Sequence, residues 1–212
     1  MKLGIFGGTF NPIHFGHLRA AEEVRYLIDL DKVIFMPSGN PPLKSSELVQ
    51  APHRYAMTRL ATQSNVNFLV SDIEMRQEVK SYTVATVETL SRTYPEDKLF
   101  FIMGLDAFLD LPNWREPERL ISSIDFIIVT RPGFELKELT ASPYVEDEII
   151  KFDAGVTSLR LRGGRKVCVA AVSVFDVSST TIRSLAMTGK SIKYLLPEAV
   201  EHYIYSHRLY SD

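Results

Sequence analysis

Cysteine is all but missing from this 212-residue chain: Cys168 is the only one, so no disulfide can form within it. It lies in the apolar run "KVCVAAV", where a lone thiol is read as a small core residue. An excess of either charge is missing too. With 24 Lys and Arg against 26 Asp and Glu the formal net charge is −2, which argues against a dedicated nucleic-acid binder but leaves room for small anionic ligands held by a local positive patch. No stretch approaches the roughly 18 apolar residues of a membrane helix; even "DFIIVT" stops at Arg131. The opening "MKLGIFGGTF" is too interrupted by glycine to be the apolar core of a secretory signal. These absences predict a cytoplasmic protein with neither a nucleic-acid nor a membrane partner. Internal repeats and low-complexity tracts are likewise missing, and 45% hydrophobic with 24% charged residues is ordinary for a globular chain.

Short apolar runs alternate with helical patterns. "KLGIF", "KVIFMP", "NFLV", "KLFFIM", "DFIIVT" and "KVCVAAV" are the strand candidates. They are apolar on consecutive residues, as expected of parallel strands covered on both faces. Helices are expected over Phe15 to Leu30, Pro52 to Ser64, Thr83 to Tyr94, Pro117 to Ser122, Ser179 to Met187 and Pro197 to His207. In the first, Leu18, Ala21, Val24 and Ile28 form one apolar stripe. The order β-α-β-α throughout predicts an α/β, Rossmann-like, doubly wound domain: a mainly parallel sheet with helices on both faces, residues 1–212 as one unit and the helical part from about 178 packed on it. Over 134–165 no period emerges; "LRLRGGRK" reads as a solvated hairpin or loop rather than an anion site.

In such a sheet the ligand crevice lies beyond the carboxyl ends of the strands. There the first βα loop, "GGTFNPIHFGH", spends two glycines, a proline and two histidines where a plain turn needs far less. Gly7 and Gly8 let a ligand approach the backbone, and the next helix offers unpaired N–H groups suited to phosphate. His14 and His17, three apart, face the same way, with Gly16 leaving the surface between them open. GxGxxG is absent and no acidic residue follows "IFMPSGN", so a dinucleotide dehydrogenase is poorly supported; GxxxxGK is absent, so there is no P-loop. A zinc pair at the histidines is conceivable, but the chain does not obviously supply the further ligands of a structural site.

"GGTFNPIHFGH" resembles the first signature of the HxGH nucleotidyltransferase superfamily, and "VSSTTIR" its second. "NPPLK", "DIEMRQEVKSYTVATVETL", "FIMGLDAFLDLPNW", "VTRPG" and "YLLPEAVEHYI" are similar in order and wording to the bacterial nicotinate-nucleotide adenylyltransferases, so the resemblance covers most of the chain. It implies transfer of the adenylyl group of ATP to nicotinate mononucleotide, giving nicotinate adenine dinucleotide and pyrophosphate, with Mg²⁺ held mainly by the substrate phosphates. His14 and His17 would then contact the ATP phosphates, His17 acting in the transition state, while Lys44 and Arg183 hold the β- and γ-phosphates. Gly7, Gly8, Thr9, Phe10, Gly16, Ser178, Ser179 and Thr180 would line the ATP site, with Gly104 and Asp106 at the ribose. Asn40, Thr83, Trp114 and the backbone at Arg115 would take the mononucleotide, Trp114 stacking on its pyridine ring. One departure stands out. The family usually has His where Leu43 stands in "NPPLK", which removes one phosphate contact. The alternatives are a sibling transferase using phosphopantetheine or a cytidine nucleotide, a non-catalytic nucleotide-binding module and a hydrolase with a His-bound metal. Oligomeric state is left open by the sequence.

Overall fold

The computed structural model describes residues 1–41, 48–76, 81–130, 134–150, 156–173 and 175–211, with backbone alone over 147–150. In chain order the elements are β1 (Lys2–Gly8), α1 (Phe15–Leu27), β2 (Lys32–Pro37), α2 (Ala51–Thr62), β3 (Phe68–Val70), α3 (Thr83–Thr93), β4 (Lys98–Gly104) and α4 (Leu105–Leu109). A 3₁₀ turn (Leu111–Asn113) follows, then α5 (Pro117–Ser123), β5 (Asp125–Thr130), α6 (Leu136–Thr140), β6 (Val145–Ile150), β7 (Thr157–Leu161), β8 (Lys166–Ala171), α7 (Ser179–Met187) and α8 (Glu198–Ser206).

Among the described residues eight strands share a sheet in the order β3-β2-β1-β4-β5-β8-β7-β6. β1 runs parallel to β4 with Phe6 opposite Ile102, β4 parallel to β5 with Ile102 opposite Ile127, and β5 parallel to β8 with Ile128 opposite Val169. The strand order reverses beside β1, the topology of a doubly wound sheet. The strict β-α alternation does not hold to the end. Among the described residues β6, β7 and β8 follow one another without a helix between them, and both of their pairings are antiparallel. The region without a sequence period thus carries α6, the edge strand β6 and its neighbour β7.

The chain forms two compact units, one of Met1–Gly7, Ala20–Val33 and Tyr82–Val174, the other of Gly8–Arg19, Ile34–Ser81 and Phe175–Asp212. In the first, Phe126, Ile127 and Ile128 of β5 are all 0% exposed. Successive side chains point to opposite faces, so both faces of β5 are covered. Phe126 meets the ring of Phe108 edge-on at 5.8 Å, and burying each such side chain contributes ~2 kcal/mol. α3 packs on α5 through buried Val87, Leu90, Leu120 and Ile121. In the second unit α2 packs against β3 and α8, with Met57, Ala61, Val200 and Ile204 buried.

Helix ends fall within three residues of the sequence expectation, and α7 spans Ser179–Met187 as expected. α1 stops at Leu27 because Asp29 turns left-handed at φ 56° and the N–H of Leu30 reaches back to the carbonyl of Arg25 at 2.8 Å, a Schellman closure made without glycine.

Candidate active site

The second unit holds the loop between β1 and α1. Phe10 adopts φ 48°, a left-handed conformation uncommon for a bulky residue, and this folds its ring back over Gly8. A Cβ on Gly8 would stand 2.9 Å from that ring. Gly8 therefore makes room for Phe10 as well as for any ligand. Phe10 in turn packs on Phe35 at 5.8 Å and meets His17 edge-on at 5.1 Å. The histidines share a face as their spacing predicts, with rings stacked 3.7 Å apart at 28°. His14 is 6% exposed and His17 half-buried. Gly16 does not simply leave an open surface: a Cβ there would lie 3.0 Å from His14 Nδ1 and 3.2 Å from Val177, so its small size seats the His14 ring.

Two stretches far apart in sequence meet at this loop. Arg183 Nη1 donates to the carbonyl of Asn11 at 3.1 Å, and Ser179 Oγ donates to the carbonyl of Pro12 at 2.8 Å, partners 172 and 167 positions away. Ser178 caps α7, its Oγ accepting from the N–H of Thr181 at 3.0 Å, a bond worth ~1 kcal/mol. Thr180 is exposed beside it in the first turn. Tyr210 also donates, through its hydroxyl, to Asn11 Oδ1 at 2.8 Å. The first turns of α1 and α7 are thereby fastened to one short loop.

Arg54 is a residue that sequence reasoning missed. It is 1% exposed, yet its guanidinium donates to three carbonyls: Val49 at 2.9 Å, Thr9 at 2.9 Å and Gly39 at 3.1 Å. Burial pulls its pKa down from the ordinary arginine value, while Tyr210 and the buried Glu74 act in the opposite direction. One side chain so joins the histidine loop to the turn that leads into "NPPLK". That turn is tight. A Cβ on Gly39 would lie 2.0 Å from the carbonyl oxygen of Glu74, and Asn40 exchanges backbone bonds with Ser81, donating to its Oγ at 3.3 Å and accepting from its N–H at 3.2 Å. Lys44 and Leu43 lie outside the described residues.

In the first unit, Gly7 is half-buried near the end of β1. Gly104 ends β4 and is the N-cap of α4, where a Cβ would meet open space; Asp106 is exposed in the first turn and makes no capping bond. Thr83 opens α3. Trp114 directly follows the 3₁₀ turn, and Arg115 lies over the ring of Tyr82 at 4.7 Å, so the loop of Trp114 comes up to the start of α3.

Comparison with known proteins decides the family. Residues 5–185 match the family model described as cytidylyltransferase-like. A protein of Geobacter metallireducens named "probable nicotinate-nucleotide adenylyltransferase" is 45% identical over 100% of this chain and 99% of its own length. One of the same name from Moorella thermoacetica is 44% identical over 99% of this chain and 91% of its own length. The chain belongs to the nicotinate-nucleotide adenylyltransferase family. It is a nucleotidyltransferase. Among solved structures, the nicotinic acid mononucleotide adenylyltransferase of Plasmodium falciparum complexed with NaAD superposes with a TM-score of 0.73 at 20% identity, covering 99% of this chain and 97% of that one. The fold is shared. Among the described residues no helix is long and apolar enough to cross a membrane.

Protonation fits the chemistry of a nucleotidyltransferase. The backbone N–H of His14 donates to His17 Nδ1 at 3.2 Å, which puts the proton of a neutral His17 on Nε2. His14 Nδ1 is buried without a partner, and the Nε2–H tautomer leaves a lone pair rather than an N–H unsatisfied there. Burial lowers His14 to a pKa of about 4, and burial together with the nearby His14 holds His17 well below its usual value. Both rings are neutral donors at physiological pH. The unfolded chain takes up protons near 6.5 that folded His14 refuses until about 4. Stability should therefore decline as pH falls through that window. In urea-midpoint measurements His14→Gln should flatten the slope, and an unchanged slope would place its origin elsewhere.

Among the described residues no group of three or more His, Cys, Asp or Glu could hold a metal ion.

Proposed function

We propose that the chain transfers the adenylyl group of ATP to nicotinate mononucleotide, releasing pyrophosphate and nicotinate adenine dinucleotide. The observation that carries this reading is the fastening of the α1 and α7 starts, with His14, His17 and Arg183, to the loop Asn11–His14. Two helix starts bring their positive dipole ends to one loop, an arrangement suited to a polyphosphate.

The chemistry asks for little else. An oxygen of the mononucleotide phosphate attacks the α-phosphorus of ATP, that P–O bond forms, and the bond to the β-phosphate oxygen breaks as pyrophosphate leaves. The nucleophile is already an anion, so no covalent intermediate and no carboxylate base is needed. Alignment and stabilisation of migrating charge suffice. His17 donates from Nε2 as charge shifts between the phosphates. Arg183 and Lys44 hold the β- and γ-phosphates, while Gly7, Gly8, Thr9, Phe10, Gly16 and Ser178–Thr180 shape the ATP site. Gly104 and Asp106 meet the ribose, and Asn40 meets the mononucleotide. Mg²⁺ offsets the phosphate charge when bound. The whole chain acts as a single cytoplasmic nucleotidyltransferase domain.

Incubation with ATP, Mg²⁺ and a panel of acceptors tests the assignment by pyrophosphate release. Nicotinate mononucleotide should be the best acceptor; release only with phosphopantetheine, or from CTP with another acceptor, would transfer the assignment to a sibling activity.

Selectivity follows from donor count. A carboxylate only accepts, whereas a carboxamide carries an NH₂ that must donate. The Thr83 hydroxyl and the backbone N–H of Arg115 are donors, whereas both N–H groups of Trp114 are engaged within the protein, the backbone one with the Leu111 carbonyl at 2.9 Å and the indole one with Asp110. The Arg115 side chain is occupied by Tyr82 and Glu116, leaving its backbone for the ligand. Facing NH₂ to donors leaves groups unpaired at about 1–3 kcal/mol each, so the acid should be preferred roughly ten- to a hundredfold in kcat/KM. Thr83→Val should narrow that ratio. Equal values for acid and amide in the unaltered protein would overturn the donor-lined pocket and leave adenylyl transfer standing.

A further inference from the structure

Trp114 is the only tryptophan of the chain, and its indole N–H donates to Asp110 Oδ2 at 3.2 Å. The second oxygen of that carboxylate accepts from Asn113 Nδ2 at 2.8 Å. The backbone of Asp110 is tied as well: its N–H donates to the carbonyl of Asp106 at 3.0 Å, and its carbonyl accepts from the N–H of Asn113 at 2.9 Å. One residue therefore connects the last turn of α4, the 3₁₀ turn and the indole ring.

Asp110 is exposed and Trp114 only half-buried. Bonds of this kind at a surface contribute little to overall stability. What they do fix is the plane of the ring. An indole free to rotate loses conformational freedom each time a ligand stacks on it, and one already held loses much less.

We propose that Asp110 is a positioning residue for mononucleotide recognition, holding the Trp114 indole in the plane that stacks on the pyridine ring. This rests on the reading above that Trp114 meets the pyridine. The carboxylate has a second effect. Accepting from the indole N–H shifts electron density onto the ring face, and the pyridine of the mononucleotide, quaternised at its glycosidic nitrogen, is a cation. A ring face made more negative attracts it more strongly.

Steady-state kinetics of Asp110→Ala and Asp110→Asn, together with tryptophan emission titrated with nicotinate mononucleotide in the absence of ATP, form the test. With a single tryptophan, emission reports on Trp114 alone. Asp110→Ala should raise KM for the mononucleotide about three- to tenfold, move the emission midpoint by the same factor, and leave kcat and KM for ATP within about twofold. Asp110→Asn keeps a carbonyl acceptor for the indole and should recover much of the loss, which a purely structural role would not predict. An unchanged emission midpoint and KM in Asp110→Ala, or a parallel loss in kcat and both KM values, overturns the role of Asp110. A different failure marks the reading beneath it: if the unaltered enzyme turns over while its emission ignores the mononucleotide, Trp114 does not meet the pyridine.

Discussion

His17→Ala is expected to lower kcat by ~100–1000-fold, the scale on which one positioned donor acts on migrating charge. The geometry favours a kinetic rather than a structural loss. His17 is half-buried, and its ring rests against Phe10 and His14. Its Nδ1 accepts one bond, from the N–H of His14, so Ala leaves that amide to find water or to relax. The variant should fold, with circular dichroism and urea midpoint near those of the parent. KM for ATP should change less than kcat, because the interaction strengthens as charge moves between the phosphates. Near-normal turnover in a folded variant would remove His17 from the chemistry.

Arg54→Met should act on the scaffold instead. Methionine matches the length of the stem but offers no donor, so the carbonyls of Val49, Thr9 and Gly39 lose their partner. Thr9 is exposed and Val49 and Gly39 are half-buried, so each unpaired carbonyl costs at most about 1–3 kcal/mol, partly offset because a desolvated charge is removed; the net loss is expected at ~2–3 kcal/mol. Urea unfolding would read this as a lowered midpoint. Arg54→Lys should recover only part, since one ammonium cannot reproduce a planar fork spanning three loops. A midpoint unchanged in Arg54→Met would mean that the three loops hold their places without the guanidinium.

These two residues also mark what the sequence makes legible. His17 stands in a string of special residues whose order is itself a signature, so this loop can be singled out before any fold is known. Arg54 carries no such mark: an arginine on a helix is ordinarily solvated. The signal available was its phase. Arg54, Met57, Thr58 and Ala61 are all buried on α2, steps of three and four that place the charge in the inward stripe. Strand content divides the same way. β5 is buried on both faces and reads as an unbroken apolar run. Antiparallel β7 buries Leu159 and Leu161 and exposes Arg160 between them, so its residues alternate over too short a span to be told from a loop. Gly8 and Gly16 teach a related lesson. Sequence assigns them to ligand access, but the atoms nearest a would-be Cβ are the Phe10 ring and the His14 ring, respectively.

A ribosome delivers this chain in an order that the two units do not share. The backbone passes between them after residues 7, 19, 33, 81 and 174. By the time residue 174 is made the first unit has every segment it needs, whereas the second still waits for 175–212. That late segment brings Ser179, Arg183 and Tyr210, the side chains that fasten the Asn11–Pro12 corner. Residues translated among the earliest thus acquire these supports near the end of translation.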